Sequence, residues 1–303
     1  MATKKAVSAK KPAATSAKTT VRTISSSSAK APVAPKVVAR PAVVSASTSK
    51  KQLLPGNIVN IVFAELFGTF ALTLVALFAG KETGALYAGL LLTVMALAVG
   101  AVSGAHINPA VTFAKLTMRQ LKPVLLPFYW GAQFLGAMFA VIVINWLTSN
   151  ALRLDFSSLW SMNWPIFGVE LAGAAIFMFG LAAATSRKSL SPAGVAVGAG
   201  LSLTVGLVAA TSLFASVQGA VDTSSITSID KVPHELRVKG ITLNPAVALA
   251  ATEQSNSSFT GSRADKNEKQ VSRLSLEVVL GTLIGAALGG NLYLLVAGAR
   301  RDQ

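Results

Sequence analysis

The sequence predicts an all-α membrane protein, in which six transmembrane helices and two shorter re-entrant helices form an inverted repeat. Its 303 residues are 52% hydrophobic and only 13% charged, a composition typical of membrane proteins. Six apolar stretches are each about 20 residues or longer, which is enough to cross a hydrocarbon core of ~30 Å. The tripeptide Asn-Pro-Ala also occurs twice, each time in an apolar run that is too short to cross.

The first 52 residues differ in composition from the rest of the chain. They contain nine Lys, two Arg and no acidic residue, which accounts for +11 of the formal net charge of +15. Because few of their side chains are large and apolar, we expect 1–52 to be a disordered tail in front of a membrane domain at 53–303. A solvated cytosolic tail is the favoured interpretation, and a transit peptide or a polybasic arm for anionic lipid is the alternative. Since the basic charge is concentrated there, it does not indicate a nucleic-acid partner.

The residue types that most enzymes and metal sites require are scarce. The chain has no Cys, which excludes disulfides, thiol catalysis and Cys-ligated zinc. Its two His, His106 and His234, are far apart in the sequence. We therefore expect no catalysed reaction, no cofactor and no metal site.

The six predicted spans lie at 57–79, 84–105, 124–148, 165–185, 190–214 and 275–298. An even number of spans places both termini on one side of the membrane. That side carries most of the cations near the spans, and positive residues mark the cytoplasmic side. We therefore expect both termini in the cytoplasm, with the plasma membrane favoured over an organelle membrane. Besides the tail, the cations on that side are Lys115, Arg119, Lys122, Arg187, Lys188, Arg300 and Arg301.

An internal repeat relates the two halves of the chain. The segment AELFGTFALTLV at 64–75 resembles VELAGAAIFMFG at 169–180, and each is followed by another span and then by Asn-Pro-Ala. Repeat one covers about 53–160 and repeat two about 161–303. Because each half contains three spans, the second half is inverted relative to the first.

Repeat two contains two polar insertions. The segment between the repeated motif and Asn-Pro-Ala is 31 residues longer in repeat two than in repeat one. Most of the excess lies at about 212–240, and a second polar stretch follows at about 253–273. Both are expected to be extracellular, and we interpret them as solvated insertions rather than functional caps.

Each Asn-Pro-Ala motif predicts the start of a short helix. Asn is a strong N-cap, and Pro is well tolerated in the first turn, where its missing N–H costs nothing. The apolar runs near 108–117 and 244–252 are about ten residues long, or ~15 Å, which is half of the hydrocarbon core. Two half-helices that meet at the midplane would direct two positive N-termini at one point. That arrangement conducts neutral molecules and repels cations.

Two inverted halves, each in the order span, span, half-helix, span, resemble the aquaporin family of major intrinsic proteins. The sequences SGAHINPAVT at 103–112 and YWGAQFLGA at 129–137 carry the resemblance, which covers 53–300. It implies that 53–303 is a channel domain in the lipid bilayer, organised as a homotetramer with one pore in each protomer. It also implies passive conduction of water, with glycerol or another small neutral solute as the alternative.

The resemblance further implies which residues line the centre of the pore. Asn108 and Asn244 would cap their helices through the side-chain oxygen and leave the amide nitrogens free as donors. A water at the midpoint would then accept two hydrogen bonds, which turns its own hydrogens away and interrupts a proton-conducting chain. The neighbouring residues of the two motifs, expected to start and pack the half-helices, are Pro109, Ala110, Pro245 and Ala246.

Four further polar residues have structural roles in this interpretation. Glu65 and Glu170 occupy matching positions in spans one and four, and an intramembrane carboxylate is costly without partners. We expect each to accept hydrogen bonds from the loop backbone near its half-helix rather than to relay protons. Gln133 is expected to be a buried anchor, and His106 a satisfied core histidine rather than a pH gate.

The second motif departs from the family pattern. Family members usually narrow the pore near its outer mouth with four residues, one of them an Arg three positions after the second Asn, where this chain has Val247. The other three matched positions are Ala88, Leu207 and Ile241. The predicted constriction is therefore wholly apolar, which weakens the case for a strict water filter. Arg237 or Lys239 from the insertion is the alternative source of a cation.

Two functions of a different class remain as alternatives. A closed membrane scaffold is compatible with the apolar constriction and the basic tail, and a permeability measurement separates it from a channel. A coupled transporter would need an ionisable relay on the pore axis, and its flux would depend on a proton gradient.

Overall fold

The computed structural model describes residues 54–80, 83–148, 153–224, 226–260 and 269–298. The predicted disordered tail at 1–52 lies outside the described residues, as do Arg300 and Arg301. The α-helices of the described residues are α1 (Ile58–Phe78), α2 (Gly84–Ser103), α3 (Pro109–Thr117), α4 (Leu126–Thr148), α5 (Trp164–Ser186), α6 (Pro192–Gly219), α7 (His234–Arg237), α8 (Pro245–Ala250), α9 (Asn256–Thr260) and α10 (Leu276–Val296).

Six of these helices are long and apolar enough to cross a membrane, namely α1, α2, α4, α5, α6 and α10. This result confirms the predicted six-span fold. Local sequence explains several of the helix ends. The Asn163 and Ser191 side chains cap α5 and α6, and α2 ends at Gly104, whose φ of 84° is in the left-handed region that glycine adopts freely.

The fifth span is longer than predicted. Helix α6 continues to Gly219, so the first insertion begins at 220 and not at 212. The sequence suggests a loop because Ser212 and Ser216 are polar. In the structure, Ser216 Oγ donates to the Ser212 carbonyl oxygen at 3.3 Å, and such a bond one turn back is compatible with a helix interior. Phe214, between them, is buried.

The two insertions have some structure of their own. The first insertion contains a short 3₁₀ turn at Ile229–Lys231. Two further 3₁₀ turns lie at Pro123–Leu125, directly before α4, and at Ser157–Trp160, in the loop after α4. Strands β1 (Leu154–Asp155) and β2 (Gln270–Val271) pair in parallel, so the loop after α4 is joined to the second insertion. The two strands have only two residues each, which leaves the all-α class unchanged.

The helix packing follows the inverted repeat. Helix α1 packs against α4 in repeat one, as α5 packs against α10 in repeat two, and α2 and α6 pack against each other. Each half-helix contacts the last span of the other repeat: α3 contacts α10, and α8 contacts α4. The start of each half-helix is therefore held by both halves of the chain.

Glycines at matching positions allow the spans to approach closely. A Cβ at Gly136 of α4 would overlap the Leu66 carbonyl oxygen of α1, and a Cβ at Gly285 of α10 would overlap the Leu171 carbonyl oxygen of α5. Helix backbones that come this near are typical of membrane bundles, where small residues replace bulky ones at the interface. These contacts fix α1 and α5, the two helices that carry Glu65 and Glu170.

Candidate pore

Both Asn-Pro-Ala motifs start a helix in the structure. Asn108 Oδ1 accepts the Ala110 N–H at 2.8 Å, and Asn244 Oδ1 accepts the Ala246 N–H at 3.0 Å. Each Asn has extended backbone angles and is followed by Pro in the first turn. The half-helices are α3 and α8. The second ends at Ala250, before the predicted 252, because the backbone is extended at Ala251.

The two asparagine side chains are linked across the repeats. Asn108 Nδ2 donates to the Leu243 carbonyl oxygen at 2.8 Å, and Asn244 Nδ2 donates to the Ile107 carbonyl oxygen at 3.0 Å. This corrects the expectation that the amide nitrogens are wholly free. An amide NH₂ has two N–H donors, and the crossed bond uses one of them. The crossed bonds thus fix both amides and use one N–H of each.

The residues before the asparagines adopt an unusual backbone conformation. Ile107 and Leu243 have φ values of 41° and 50°, in a region that side chains with a Cβ rarely occupy. The conformation directs each carbonyl oxygen to the Asn of the other repeat. Both side chains lie in a space left by a glycine on a neighbouring span, Gly68 for Ile107 and Gly173 for Leu243.

Glu65 holds the chain that leads into α3. Its carboxylate is fully buried and accepts three hydrogen bonds: from the His106 N–H at 3.0 Å, from the Ile107 N–H at 2.7 Å and from Gln133 Nε2 at 2.8 Å. These two backbone N–H groups belong to the turn that aims the Ile107 carbonyl at Asn244. The contacts are of the kind that a structural carboxylate needs.

Glu170 occupies the matching place in repeat two. It accepts hydrogen bonds from the Thr242 N–H at 3.2 Å, from Thr242 Oγ1 at 3.3 Å and from the Leu243 N–H at 2.9 Å. Like Glu65, it is fully buried. The chain that leads into α8 is therefore held by the same chemistry as the chain that leads into α3.

The two repeats differ in what lies behind these carboxylates. In repeat one, Gln133 Nε2 also donates to Thr112 Oγ1 at 2.9 Å, and His106 Nδ1 lies 3.2 Å from the same oxygen. The His106 ring also lies 4.7 Å from the ring of Tyr129. Trp130 Nε1 donates to the Pro109 carbonyl oxygen at 3.1 Å. The groups that pack behind Glu65 are thus neutral hydrogen-bonding groups.

In repeat two a buried cation takes that place. Arg273, only 1% exposed, lies with Nη2 3.8 Å from Glu170 Oε1 and with Nη1 3.5 Å from Glu277 Oε1. His234 Nε2 lies 2.9 Å from the same Glu277 oxygen, so the first insertion contacts this cluster. Sequence reasoning missed the cluster. An Arg and a Glu four residues apart at the start of a span were its only signal.

Glu253 lies at the edge of this cluster, outside the spans. Burial raises the pKa of its carboxyl above the ordinary value, although the charges of His234 and Arg273 oppose the shift. A raised folded-state pKa means that the folded protein holds the proton more tightly than the unfolded chain, so stability falls as pH rises through the interval above pH 4.5.

We expect Glu253→Gln to raise the melting temperature in detergent at pH 8 and to leave it unchanged at pH 4. An equal shift at both pH values would contradict this assignment.

The four predicted constriction residues belong to one apolar cluster. Ala88, Leu207 and Val247 are buried members of it, and Ile241 packs against it. Arg237 is not directed at them, because its guanidinium donates to the Ile229 and Val232 carbonyl oxygens within its own insertion. Lys239 Nζ donates to Thr252 Oγ1 at 3.2 Å. The side chains of both candidate replacement cations are therefore bonded to loop groups.

A cavity of about 320 Å³ opens beside α3, and we name it the α3 vestibule. Its lining includes Ser103, His106, Val111, Lys115, Tyr129 and Thr185. His106 and Val111 lie on either side of the first motif in sequence, and Asn108, Pro109 and Ala110 are not among the residues that line the cavity. Among the described residues, no group of three or more His, Asp or Glu could hold a metal ion.

Comparison with known proteins agrees with this architecture. Residues 60–293 match the family described as Major intrinsic protein. The chain is 30% identical over 228 residues to Aquaporin NIP2-3 of Zea mays, across 71% of this chain and 66% of that protein. It is 32% identical over 169 residues to Aquaporin NIP2-1 of Zea mays, across 52% of this chain and 57% of that protein. The chain thus spans less than two thirds of the length of either relative.

A solved structure has the same fold. The X-ray structure of the aquaglyceroporin from Plasmodium falciparum superposes with a TM-score of 0.50 at 18% identity, covering 78% of this chain and 95% of that chain. The family match covers most of the described helices, and the structure places two Asn-capped half-helices inside six spans. The chain therefore belongs to the major intrinsic protein family.

Proposed function

We propose that this protein is a passive membrane channel for water. The observation that carries the proposal is the crossed pair of asparagine bonds, which holds two amides at the meeting point of α3 and α8. Members of the family are channels rather than enzymes, and relatives named aquaporins match the chain. No reaction and no cofactor is needed for this function.

The asparagine pair supplies the mechanism. Each amide has one N–H beyond the crossed bond, so a water between them accepts two hydrogen bonds and points its hydrogens away from the centre. Water then passes along the pore while a proton-conducting chain is interrupted. The rigid support from Glu65 and Glu170 keeps the donors in place without reorganisation when a water arrives.

Conduction is tested by reconstitution into liposomes. We expect proteoliposomes to shrink faster than protein-free liposomes after an osmotic step, measured by stopped-flow light scattering. A matched preparation of Asn108→Leu keeps the side-chain size but removes the pore amide, and should conduct less water for each folded protein. Wild-type proteoliposomes that shrink at the protein-free rate, with folded protein shown to be present, would favour a closed scaffold.

The apolar constriction extends the proposal to a second solute class. The side chains of Ala88, Leu207, Ile241 and Val247, which we propose line the constriction, are all apolar and offer water no hydrogen-bond donor. Glycerol or another small neutral solute is therefore the second candidate. A dependence of flux on a proton gradient would instead indicate coupled transport.

Val247→Arg tests the placement of the constriction. The longer side chain should narrow the pore and add donors that suit water, so we expect glycerol flux to fall more than water flux. Val247→Leu is the control, because it keeps the site apolar. An unpaired buried guanidinium is costly, so folding in detergent is checked first. If folded Val247→Arg and wild type have the same glycerol-to-water ratio, Val247 does not line the constriction.

Assembly and orientation complete the proposal. We expect a homotetramer with one pore in each protomer, in the plasma membrane, with both termini in the cytoplasm. The orientation is supported by three cations between the start of α3 and the start of α4, namely Lys115, Arg119 and Lys122. Positive residues near the spans mark the cytoplasmic side of a membrane protein. Cross-linking of detergent-solubilised protein measures the assembly, and labelling of terminal tags in intact cells measures the orientation.

A further inference from the structure

The α3 vestibule contains a lysine that belongs to the half-helix itself. Val111 is three positions after Asn108, and Lys115 is seven positions after it. Residues four apart share one face of a helix, so Lys115 lies on the face of Val111, about one turn or ~5.4 Å farther from the asparagine. Both residues line the cavity.

The ammonium group of Lys115 is held by neutral partners. Its Nζ donates to Gln120 Oε1 at 2.8 Å and to Thr185 Oγ1 at 3.0 Å. An ammonium has three N–H donors, so these two bonds leave one. The residues that line the vestibule include no Asp or Glu. In its charged form, the Lys115 ammonium is therefore held by these two bonds and is not paired with a carboxylate of the vestibule lining.

The second half-helix has no such charge. Its third position after the asparagine is Val247 and its seventh is Ala251. The position at which the family resemblance implies an Arg is thus apolar, whereas the vestibule beside the first half-helix has a cation. A charge in a narrow recess with low-dielectric walls has a concentrated field, so it discriminates ions more strongly than the same charge on an open surface.

We propose that Lys115 is a charge-selective residue of this channel that acts in addition to the two half-helix N-termini, and that it keeps small monovalent cations out of the α3 vestibule while neutral molecules pass. The inference rests on the proposed channel function. It assigns cation exclusion to Lys115, seven residues after Asn108, and not to position 247, three residues after Asn244.

The test measures sodium entry and water flux on the same proteoliposomes. Sodium is followed with an enclosed sodium-sensitive dye, with valinomycin and potassium present to prevent a build-up of charge. The variants are Lys115→Met, which removes the charge, Lys115→Gln, which also keeps hydrogen-bonding groups for Gln120 and Thr185, and Lys115→Arg, which keeps the charge. Lys122→Met is the matched control, because Lys122 is exposed on the same segment and is not among the residues that line the vestibule.

We expect the two neutral variants to admit sodium about tenfold faster than wild type, the effect of removing one nearby unit charge, with water flux within about a factor of two. Lys115→Arg and Lys122→Met should match wild type. The inference is overturned if a neutral variant conducts water and admits sodium no faster than wild type, or if wild type admits sodium as fast as the neutral variants. If wild type conducts no water, the channel proposal fails and this inference fails with it.

A measurement on the unaltered protein does not depend on the folding of any variant. Salt shortens the Debye length from ~10 Å at 0.1 M to ~3 Å at 1 M, so it weakens the field of Lys115 in a water-filled vestibule. The permeability of wild-type proteoliposomes to a trace amount of guanidinium should therefore rise between these two concentrations. An unchanged permeability would count against a fixed charge as the selective element.

Discussion

Glu65→Ala is expected to prevent folding or to lower the melting temperature of the detergent-solubilised protein by many degrees. The substitution leaves three buried donors without an acceptor, namely the His106 N–H, the Ile107 N–H and Gln133 Nε2. Each unpaired buried group costs roughly 1–3 kcal/mol. The turn that aims the Ile107 carbonyl at Asn244 would also lose its support, so any protein that does fold should conduct less water.

Thr69→Val is the matched control for this variant. Thr69 is buried one turn further along α1, and its hydroxyl has no hydrogen-bond partner among the described residues. Replacing that hydroxyl by a methyl group should leave the melting temperature unchanged or slightly raised. The structural role of Glu65 would be wrong if Glu65→Ala folded normally and changed only the pH response of the flux, since that pattern belongs to a proton relay.

Arg273→Met is expected to have a comparable effect in repeat two. Removing one partner of a buried ion pair leaves an uncompensated charge, at a cost of roughly 3–5 kcal/mol. Here Glu170 would lose the guanidinium 3.8 Å away, and Glu277 would lose the one 3.5 Å away. Because Glu170 holds Thr242 and Leu243 in front of α8, we expect a lower melting temperature and less water flux for each folded protein.

Two further variants separate charge from size at this position. Arg273→Lys keeps the charge and should retain more stability than Arg273→Met, although it cannot reach both carboxylates with one planar group. Arg153→Met removes an exposed cation and should have little effect. If Arg273→Met melts and conducts as wild type does, the cluster of Arg273, Glu170 and Glu277 does not support the second motif.

The element plan of this protein could be predicted because its signals are local. The length of an apolar run decides whether a helix can span, and Asn-Pro decides where a half-helix begins, as Asn108 and Asn244 show. The end of the fifth span could not be predicted from local sequence in this way. Ser216 is polar in sequence, but its hydroxyl bonds within the helix and its neighbour Phe214 is buried by tertiary packing.

The site could be predicted only as far as its symmetry extends. Glu65 and Glu170 are matched in the two repeats, so each could be assigned to the loop of its own half-helix. The crossed bonds of Asn108 and Asn244 join residues 135 and 137 positions apart, and their partners depend on the left-handed backbone at Ile107 and Leu243. Arg273 has no counterpart in the matched network of repeat one, so the repeat gave no reason to select it.

The assignment of pore roles to these residues stays a prediction, and the temperature dependence of water flux tests the central claim most directly. If water passes through a continuous path past the asparagine pair, it need not dissolve in the hydrocarbon core. The Arrhenius slope of wild-type proteoliposomes should then be much smaller than that of protein-free liposomes of the same lipid. A slope equal to that of the protein-free liposomes, with folded protein present, would contradict the existence of a water-conducting pore.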